Sequence, residues 1–355
     1  MTSAKLLFVS EDGQLRHVAR DAFVDLLRPC DLVVANDAAT LPASLHGVHV
    51  PSGEAIEVRL AGWDSGNWHD PSRFVVIVFG AGDYRTRTEN RPLPPPLAPG
   101  DPIRLGSLSA TVTHIVGHPR LVSLRFNDSH DAIWRGLAGH GRPIQYAHVA
   151  APLVLWDVWT RIAAAPVAFE PPSAGFALSW HMLSKMRARG IRFATITHAA
   201  GISSTGDEAL DQQLPFDEPY EIPIATARAI AHTRVRGGRV VAIGTTVVRA
   251  LEHASIGDGN VRAGRGIATE HINAGSRLVV ADALLSGIHE PGTSHYDLLR
   301  AFAEDSTLDL ADQAVHSSAY RAHEFGDSIF IERVEPALPI RVMRAPEASA
   351  MIVAC

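Results

Sequence analysis

Lysine is nearly absent from this chain of 355 residues, in which Lys5 and Lys185 are the only two. Arginine therefore carries almost all of the positive charge, and the net charge is −6. Because contacts with phosphates supply most of the affinity of nucleic-acid-binding proteins, an acidic chain is a poor candidate for a dedicated nucleic-acid binder. Cysteine is equally scarce: Cys30 and Cys355 lie far apart and cannot define a disulfide framework.

Long hydrophobic runs are also missing, since no apolar stretch approaches the ~20 residues that cross a bilayer. The first ten residues contain one lysine and lack the layout of a signal peptide, so we expect a cytoplasmic protein. None of the 18 histidines shows strong metal-ligand spacing, and we therefore expect no metal site. The remaining composition, 46% hydrophobic and 20% charged, is that of an ordinary globular protein with two domains or an insertion.

Short strand-like runs recur between about residues 48 and 127, separated by Gly, Pro and Asp. This pattern is typical of a small β-barrel or sandwich. A proline-rich stretch, residues 92–99, is expected to form a stiff connector within it. The predicted strands are Ala55–Leu60, Phe74–Phe79, Ile103–Leu105, Ala110–Ile115 and Leu121–Phe126.

Strands and helices alternate outside that segment, which predicts an α/β fold with a largely parallel sheet, flanking helices and ligand loops at the carboxyl ends of strands. We predict a discontinuous α/β domain (residues 1–49 and 131–344), an inserted β-barrel domain (50–130) and a tail (345–355). Its predicted helices are His17–Leu27, Ser179–Arg189, Ile222–Arg234, Thr246–Ala254 and His295–Phe302. Its predicted strands are Leu6–Val9, Asp31–Ala35, Arg192–His198, Arg239–Ile243, Arg277–Ala281 and Ile329–Val334.

A glycine turn followed by two threonines, Gly244-Thr245-Thr246, joins a predicted buried strand to a helix. Such a turn brings backbone N–H groups, two hydroxyls and a helix N-terminus to one point, which suits an anionic or polyhydroxyl ligand. Arg249 and Glu252 follow within two helical turns and offer charge near the same point. A threonine helix cap without a ligand explains the same residues equally well.

Several weaker motifs have both a structural and a functional interpretation. Asn36-Asp37 at the end of a strand is either a turn or a pair of polar groups that face a cleft. The segment 171–175 is either a rigid turn or a place where the backbone closely approaches a ligand. Taken singly, these motifs do not decide between the interpretations.

The order of the motifs is more informative than any one of them. Together they resemble the S-adenosylmethionine:tRNA ribosyltransferase-isomerase family of queuosine biosynthesis, from about residue 20 to 334. The most specific parts are residues 239–252 and the closing Tyr-Arg and Gly-Asp pairs. The motifs span residues 31–37, 41–43, 172–175, 197–198, 218–220, 244–252, 286–291, 320–321 and 325–327.

The resemblance implies an α/β domain interrupted by a small β-barrel, as the pattern of elements also predicts. It implies that S-adenosylmethionine is a co-substrate that donates its ribosyl group, with isomerisation, to the aminomethyl group of a modified deazaguanine in tRNA. Methionine and adenine leave, and an epoxycyclopentanediol remains on the base. Such chemistry needs a base that deprotonates the carbon next to the sulfonium, a proton donor for adenine, and polar groups that hold the donor.

The resemblance assigns candidate roles without deciding which residue is the base. The titratable candidates for catalysis are Asp37, His198, Glu218 and Asp327. The candidates for binding S-adenosylmethionine are Asn36, Ser173, Ala174, Gly175, Tyr220, Gly244, Thr245, Thr246, Arg249, Glu252 and His289. For Arg249, taken as an arginine on a helix face that contributes little to the core, truncation to alanine is expected to weaken ligand binding more than folding.

Some positions depart from the family's pattern, mostly by loss of a cationic or imidazole group. These losses predict weaker phosphate binding or a missing acid–base group. Three hypotheses therefore remain open: the family's activity on tRNA, related chemistry on an acceptor other than tRNA, and nucleoside binding without catalysis. The departures lie at Ala38-Ala39, Ser44, Phe176-Ala177, Phe216 and residues 290–294.

Overall fold

The structure is a computed structural model that describes residues 4–149, 151–322 and 325–334. It combines a large mixed sheet flanked by helices with a closed β-barrel, and a two-stranded sheet formed by β4 (Ala38–Thr40) and β11 (Ala165–Ala168). The predicted fold class is confirmed. The predicted tail after Arg344 lies outside the described residues.

Parallel strands form the centre of the large sheet, and antiparallel pairs occur on both sides of it. Every residue of the central strand Leu32–Asn36 is buried, as expected for a parallel strand covered on both faces. Among the described residues, the nine strands in spatial order are β15 (Gly264–Ala268), β13 (Glu218–Ile222), β12 (Arg192–His198), β3 (Leu32–Asn36), β14 (Val240–Ile243), β16 (Ala283–Gly287), β17 (Ser328–Glu332), β1 (Lys5–Val9) and β2 (Leu15–Ala19).

Helices cover both faces of this sheet, and alternate residues of each strand point to opposite faces. Leu32 and Val34 pack with the helices of one face, whereas Val33 and Ala35 pack with those of the other. The first face carries α6 (Ile224–Val235), α7 (Thr245–His253), α8 (Ser294–Leu299) and α9 (Asp305–Ser317), and the second carries α1 (Phe23–Leu26) and α4 (Trp180–Ala188). Further helices are α2 (His130–His140), α3 (Leu155–Val158) and α5 (Glu208–Asp211), with 3₁₀ turns at Arg20–Ala22, Thr88–Asn90 and Ser173–Ala177.

Two sequence predictions about these elements are wrong. The predicted helix His17–Leu27 begins in strand β2, which pairs antiparallel with β1, and only Phe23–Leu26 is α-helical. The predicted strand Arg277–Ala281 is irregular, because the Glu252 carboxylate accepts hydrogen bonds from the N–H groups of residues 279, 280 and 281. Those N–H groups bind a side chain and not a neighbouring strand.

The barrel closes through six strands that run from Ser44 to Phe126, and the division of the chain into domains at residues 50 and 130 stays a prediction. Trp63 connects the barrel to the α/β part, since its Nε1–H donates to the Val167 carbonyl at 2.9 Å. The six strands, in order around the barrel, are β10 (Leu121–Phe126), β7 (Arg73–Phe79), β6 (Glu54–Trp63), β5 (Ser44–His49), β8 (Pro102–Leu105) and β9 (Leu108–His118).

A buried carboxylate, Glu57, organises one end of the barrel. It accepts hydrogen bonds from Arg59 Nε at 2.7 Å, Arg91 Nη1 at 2.5 Å and Ser44 Oγ at 2.9 Å. Burial alone raises the pKa of Glu57, but the charges and hydrogen bonds of both arginines outweigh it and lower the pKa from 4.5 to about 2. Both guanidinium groups also lie over the Phe79 ring, at 4.6 and 5.4 Å from its centroid.

The barrel also contacts the segment that precedes β13. Asp207 accepts a hydrogen bond from the Ala209 N–H at the start of α5. The same carboxylate lies 3.4 Å from His118 Nε2 and 3.8 Å from Arg120 Nε, both on the barrel. Asp207 therefore joins α5 to the barrel.

Glu57→Gln is expected to lower the free energy of unfolding by about 3–5 kcal/mol, because it leaves two buried guanidinium groups without their counter-charge. Since the folded-state pKa is depressed, the stability that this carboxylate contributes is complete above about pH 4.5 and is lost as the pH falls toward about 2. Urea unfolding measures the change, with Glu54→Gln at an exposed position of the same strand as control. Equal free energies of unfolding in the two variants would contradict a stabilising role for the Glu57 carboxylate.

Candidate active site

A cavity of about 650 Å³ opens at the carboxyl ends of β12, β14 and β16. These strands run in the same direction in the centre of the sheet, and this edge is where α/β proteins bind their ligands. The loops after the three strands supply its walls, together with the segment around the 3₁₀ turn Ser173–Ala177 and helices α7 and α8.

The glycine turn lies on the wall of this cavity. Gly244 has φ +95°, a conformation that favours glycine, and a Cβ there would lie 3.4 Å from the neighbouring Ala174 Cβ. Gly244 is itself the N-cap of α7, and no side chain caps the helix. Thr245 and Thr246 therefore begin the helix and line the cavity without serving as caps. The N-terminus of α7 points toward the ligand space, as the functional interpretation of the turn requires.

Arg249, one turn further along α7, is buried and pairs with Glu218 on β13. Its guanidinium also donates to the backbone carbonyls of Ala268 at 3.1 Å, Phe216 at 3.2 Å and Glu270 at 3.3 Å. Arg249 thus has a fixed position. The sequence-based expectation that this side chain contributes little to the core is wrong, because it is buried.

Glu218 faces the cavity with its charge only partly compensated. Besides pairing with Arg249, it accepts a hydrogen bond from the Gly201 N–H at 2.5 Å. Burial raises the pKa of Glu218, and the opposing effects of the Arg249 charge and the Gly201 hydrogen bond do not cancel that rise. A carboxylate with a raised pKa is a better proton acceptor than an exposed one.

His198 lies directly behind Glu218, away from solvent. Its Nε2 is 3.6 Å from the Glu218 carboxylate, and neither ring nitrogen has a hydrogen-bond partner among the described residues. Burial and then the charge of Arg249 lower the pKa of His198 well below 6.5, so the ring is neutral at neutral pH. The Asn36 side chain holds its backbone, because it donates to the His198 carbonyl and accepts from the His198 N–H, both at 2.9 Å.

The cavity is acidic. Within the described part of the chain, five carboxylates and a single guanidinium line it, and the guanidinium is already paired with Glu218. Such a lining lowers the free energy of a bound cation and disfavours an anion away from the helix N-terminus. The carboxylates belong to Glu170, Asp211, Glu218, Glu290 and Asp297.

Comparison with known proteins identifies the family of this chain. A sequence model of the family described as "Queuosine biosynthesis protein" matches residues 1–331. The chain belongs to this family. Three relatives are each described as S-adenosylmethionine:tRNA ribosyltransferase-isomerase. The protein of Sorangium cellulosum is 32% identical over 94% of this chain and 93% of its own. Those of Trichlorobacter lovleyi and Geobacter sulfurreducens are each 30% identical, over 88% and 93% of both chains, respectively.

The residues predicted from the resemblance to the queuosine family fall into two groups. The first group lines the cavity or lies immediately behind its wall. The lining residues are Ser173, Ala174, Glu218, Gly244, Thr245, Thr246, Arg249 and His289, and those behind the wall are His198 and Asn36. Five others lie outside that lining, and four of them bind other parts of the protein. These contacts are Asp37 with the Thr197 hydroxyl, Tyr220 with His253, Glu252 with three backbone N–H groups, and Asp327 with the N–H groups of Lys5 and Arg321, while Gly175 packs near Thr160.

Glu170 and His295 are among the polar residues on the cavity wall that were not predicted. Glu170 follows β11 and accepts hydrogen bonds from the Ser203 N–H at 2.9 Å and its hydroxyl at 2.5 Å. His295 is in the first turn of α8, and burial together with the Arg249 charge lowers its pKa from 6.5 to about 4. The sequence signal for both was their position next to a motif of the queuosine family: Glu170 lies just before residues 172–175, and His295 lies just after residues 286–291.

The described residues give two further findings. No helix among them is long and apolar enough to span a bilayer. They also hold no group of three or more His, Cys, Asp or Glu side chains arranged to bind a metal ion.

Arg249→Ala is expected to reduce the free energy of unfolding by about 3–5 kcal/mol, because it leaves Glu218 buried without its partner. Chemical denaturation measures this, and Arg228→Ala, which removes an exposed arginine of α6, is the control. A loss no larger than that of the control would mean that Arg249 does not stabilise the fold.

Proposed function

We propose that this protein transfers and isomerises the ribosyl group of S-adenosylmethionine onto the aminomethyl-deazaguanine of tRNA, with release of adenine and methionine. The observation that carries the proposal is the combination, in one cavity, of a helix N-terminus with an acidic lining. S-adenosylmethionine carries both a carboxylate and a sulfonium cation. The first is complementary to the helix N-terminus and the second to the carboxylates.

The turn at Gly244 holds the methionine carboxylate or the ribose in this proposal. Thr245 and Thr246 supply hydroxyls there, and the first turn of α7 supplies N–H groups. Ala174 lies next to Gly244 on the same wall of the cavity. Arg249 does not bind the carboxylate directly in this proposal, because Glu218 and three carbonyls already use four of its five N–H donors. It positions Glu218.

Glu218 is the proton acceptor in this proposal. It faces the cavity, its pKa is raised by burial, and Arg249 and the Gly201 N–H fix its orientation. The carbon next to the sulfonium is acidified by the positive charge, and a desolvated carboxylate is suited to remove its proton. His198, neutral and without a hydrogen-bond partner among the described residues, lies behind Glu218 and is placed to accept a hydrogen bond when Glu218 is protonated.

Exposed arginines of the barrel supply the phosphate contacts for tRNA. Arg73 and Arg125 are exposed partners on adjacent strands, which places two like charges side by side. Like charges opposite each other destabilise a sheet unless an anion lies between them. Arg85 and Arg87 are also exposed, at 72% and 75% of their side chains, and pair at the surface with Asp83 and Glu89. The basic surface is thus on the barrel, whereas the cavity is acidic.

Incubation with S-adenosylmethionine is expected to release adenine and methionine only when tRNA carrying the aminomethyl-deazaguanine is present. Chromatography of the products measures both. Unmodified tRNA, which lacks the acceptor amine, is the control. Release with a small amine and without tRNA would overturn tRNA as the acceptor, and no release under any condition would overturn the activity.

Glu218→Gln is expected to lower kcat by about 10²–10⁴-fold, the usual contribution of a general base. The matched control is Glu221→Gln, on the same strand, where the carboxylate pairs with Arg265 at the surface. Thermal unfolding of both variants separates catalysis from folding. If the kcat of Glu218→Gln stays within threefold of that of the control, another group removes the proton.

A further inference from the structure

Two histidines lie in contact on the cavity wall beside the Gly244 turn. The His289 and His295 ring centroids are 4.5 Å apart, with the planes inclined at 49°. Ser286 Oγ lies 3.0 Å from His289 Nε2 and orients that ring. Ser286 follows Leu285, whose carbonyl accepts the Gly244 N–H at 2.8 Å. The pair is therefore tied to the strand ends that form the site.

The environment of His295 keeps its ring neutral. Burial, and then the charge of Arg249, lower its pKa to about 4. A neutral imidazole offers one N–H donor and one nitrogen acceptor, whereas an imidazolium offers only donors. A neutral ring also avoids repulsion with the sulfonium of the donor in the same cavity. His295 is thus suited to contact a nucleobase, whose edge presents donors and acceptors side by side.

We propose that His295 is a further catalytic residue, whose imidazole N–H donates a hydrogen bond to the purine of S-adenosylmethionine as the base leaves. The inference rests on the proposed function. In this step the bond between the ribosyl C1′ and the purine nitrogen breaks, its electron pair stays on the purine, and the ribosyl ring oxygen supplies an electron pair to C1′. The hydrogen bond stabilises that negative charge, and the purine then takes its proton from water. His289, held by Ser286, supports the His295 ring and is a positioning residue.

The first test compares His295→Leu, His295→Gln and the parent protein in adenine release with modified tRNA. Loss of one such donor is expected to lower kcat by about 10²–10³-fold in His295→Leu with little change in KM. His295→Gln keeps an N–H donor and is expected to restore kcat to within about tenfold of the parent. The matched control is His181→Leu, at an exposed position of α4.

The second test changes the leaving group. In a donor that has hypoxanthine in place of adenine, the leaving base stabilises negative charge better by itself. The difference in kcat between His295→Leu and the parent is therefore expected to shrink. An equal loss of kcat with both donors, or an unchanged kcat in His295→Leu, overturns the role of His295 but leaves the proposed function standing. Absence of adenine release by the parent overturns the proposed function together with this inference.

Discussion

The buried ion pair between Glu218 and Arg249 is the interaction on which the geometry of the cavity depends. It joins strand β13 to helix α7, and Arg249 binds three backbone carbonyls as well. A guanidinium with so many partners has one favourable position, because every alternative leaves a buried polar group unsatisfied. The first turn of α7 is therefore held against the sheet before a ligand arrives, and the ligand is spared the cost of ordering it.

This pair also separates two charge environments. Because it neutralises the guanidinium that lines the described part of the cavity, the remaining carboxylates determine the potential there. The barrel instead exposes arginines such as Arg73 and Arg125. In the proposed function, a cationic donor and a polyanionic acceptor are attracted to different parts of one molecule, although the chain as a whole is acidic. The net charge of the chain averages over both parts and describes neither of them.

The central strands and the turn at Gly244 were predictable from sequence because their signals are local. Within the predicted strand Asp31–Ala35, residues 32–35 are all apolar, as is typical of strands covered on both faces. The function of Glu252 was not predictable, since its carboxylate binds N–H groups 27 to 29 residues away. The fold places His295 beside His289 and Arg249, a neighbourhood that no periodicity records. Sequence thus predicted two of the three strands whose ends build the site, β12 and β14 but not β16, and long-range contacts decided which side chains face it.

The contact of Asp207 with His118 and Arg120 has a consequence for how the barrel can evolve. Asp207 begins the short helix that carries Asp211 to the cavity wall. A barrel transplanted from a distant relative without those two side chains would leave Asp207 without its partners on the barrel. The graft would disturb a wall of the cavity although none of the exchanged residues lines it. An exchange of the barrel that preserves the cavity wall must therefore keep both basic side chains or replace residues 203–215 as well.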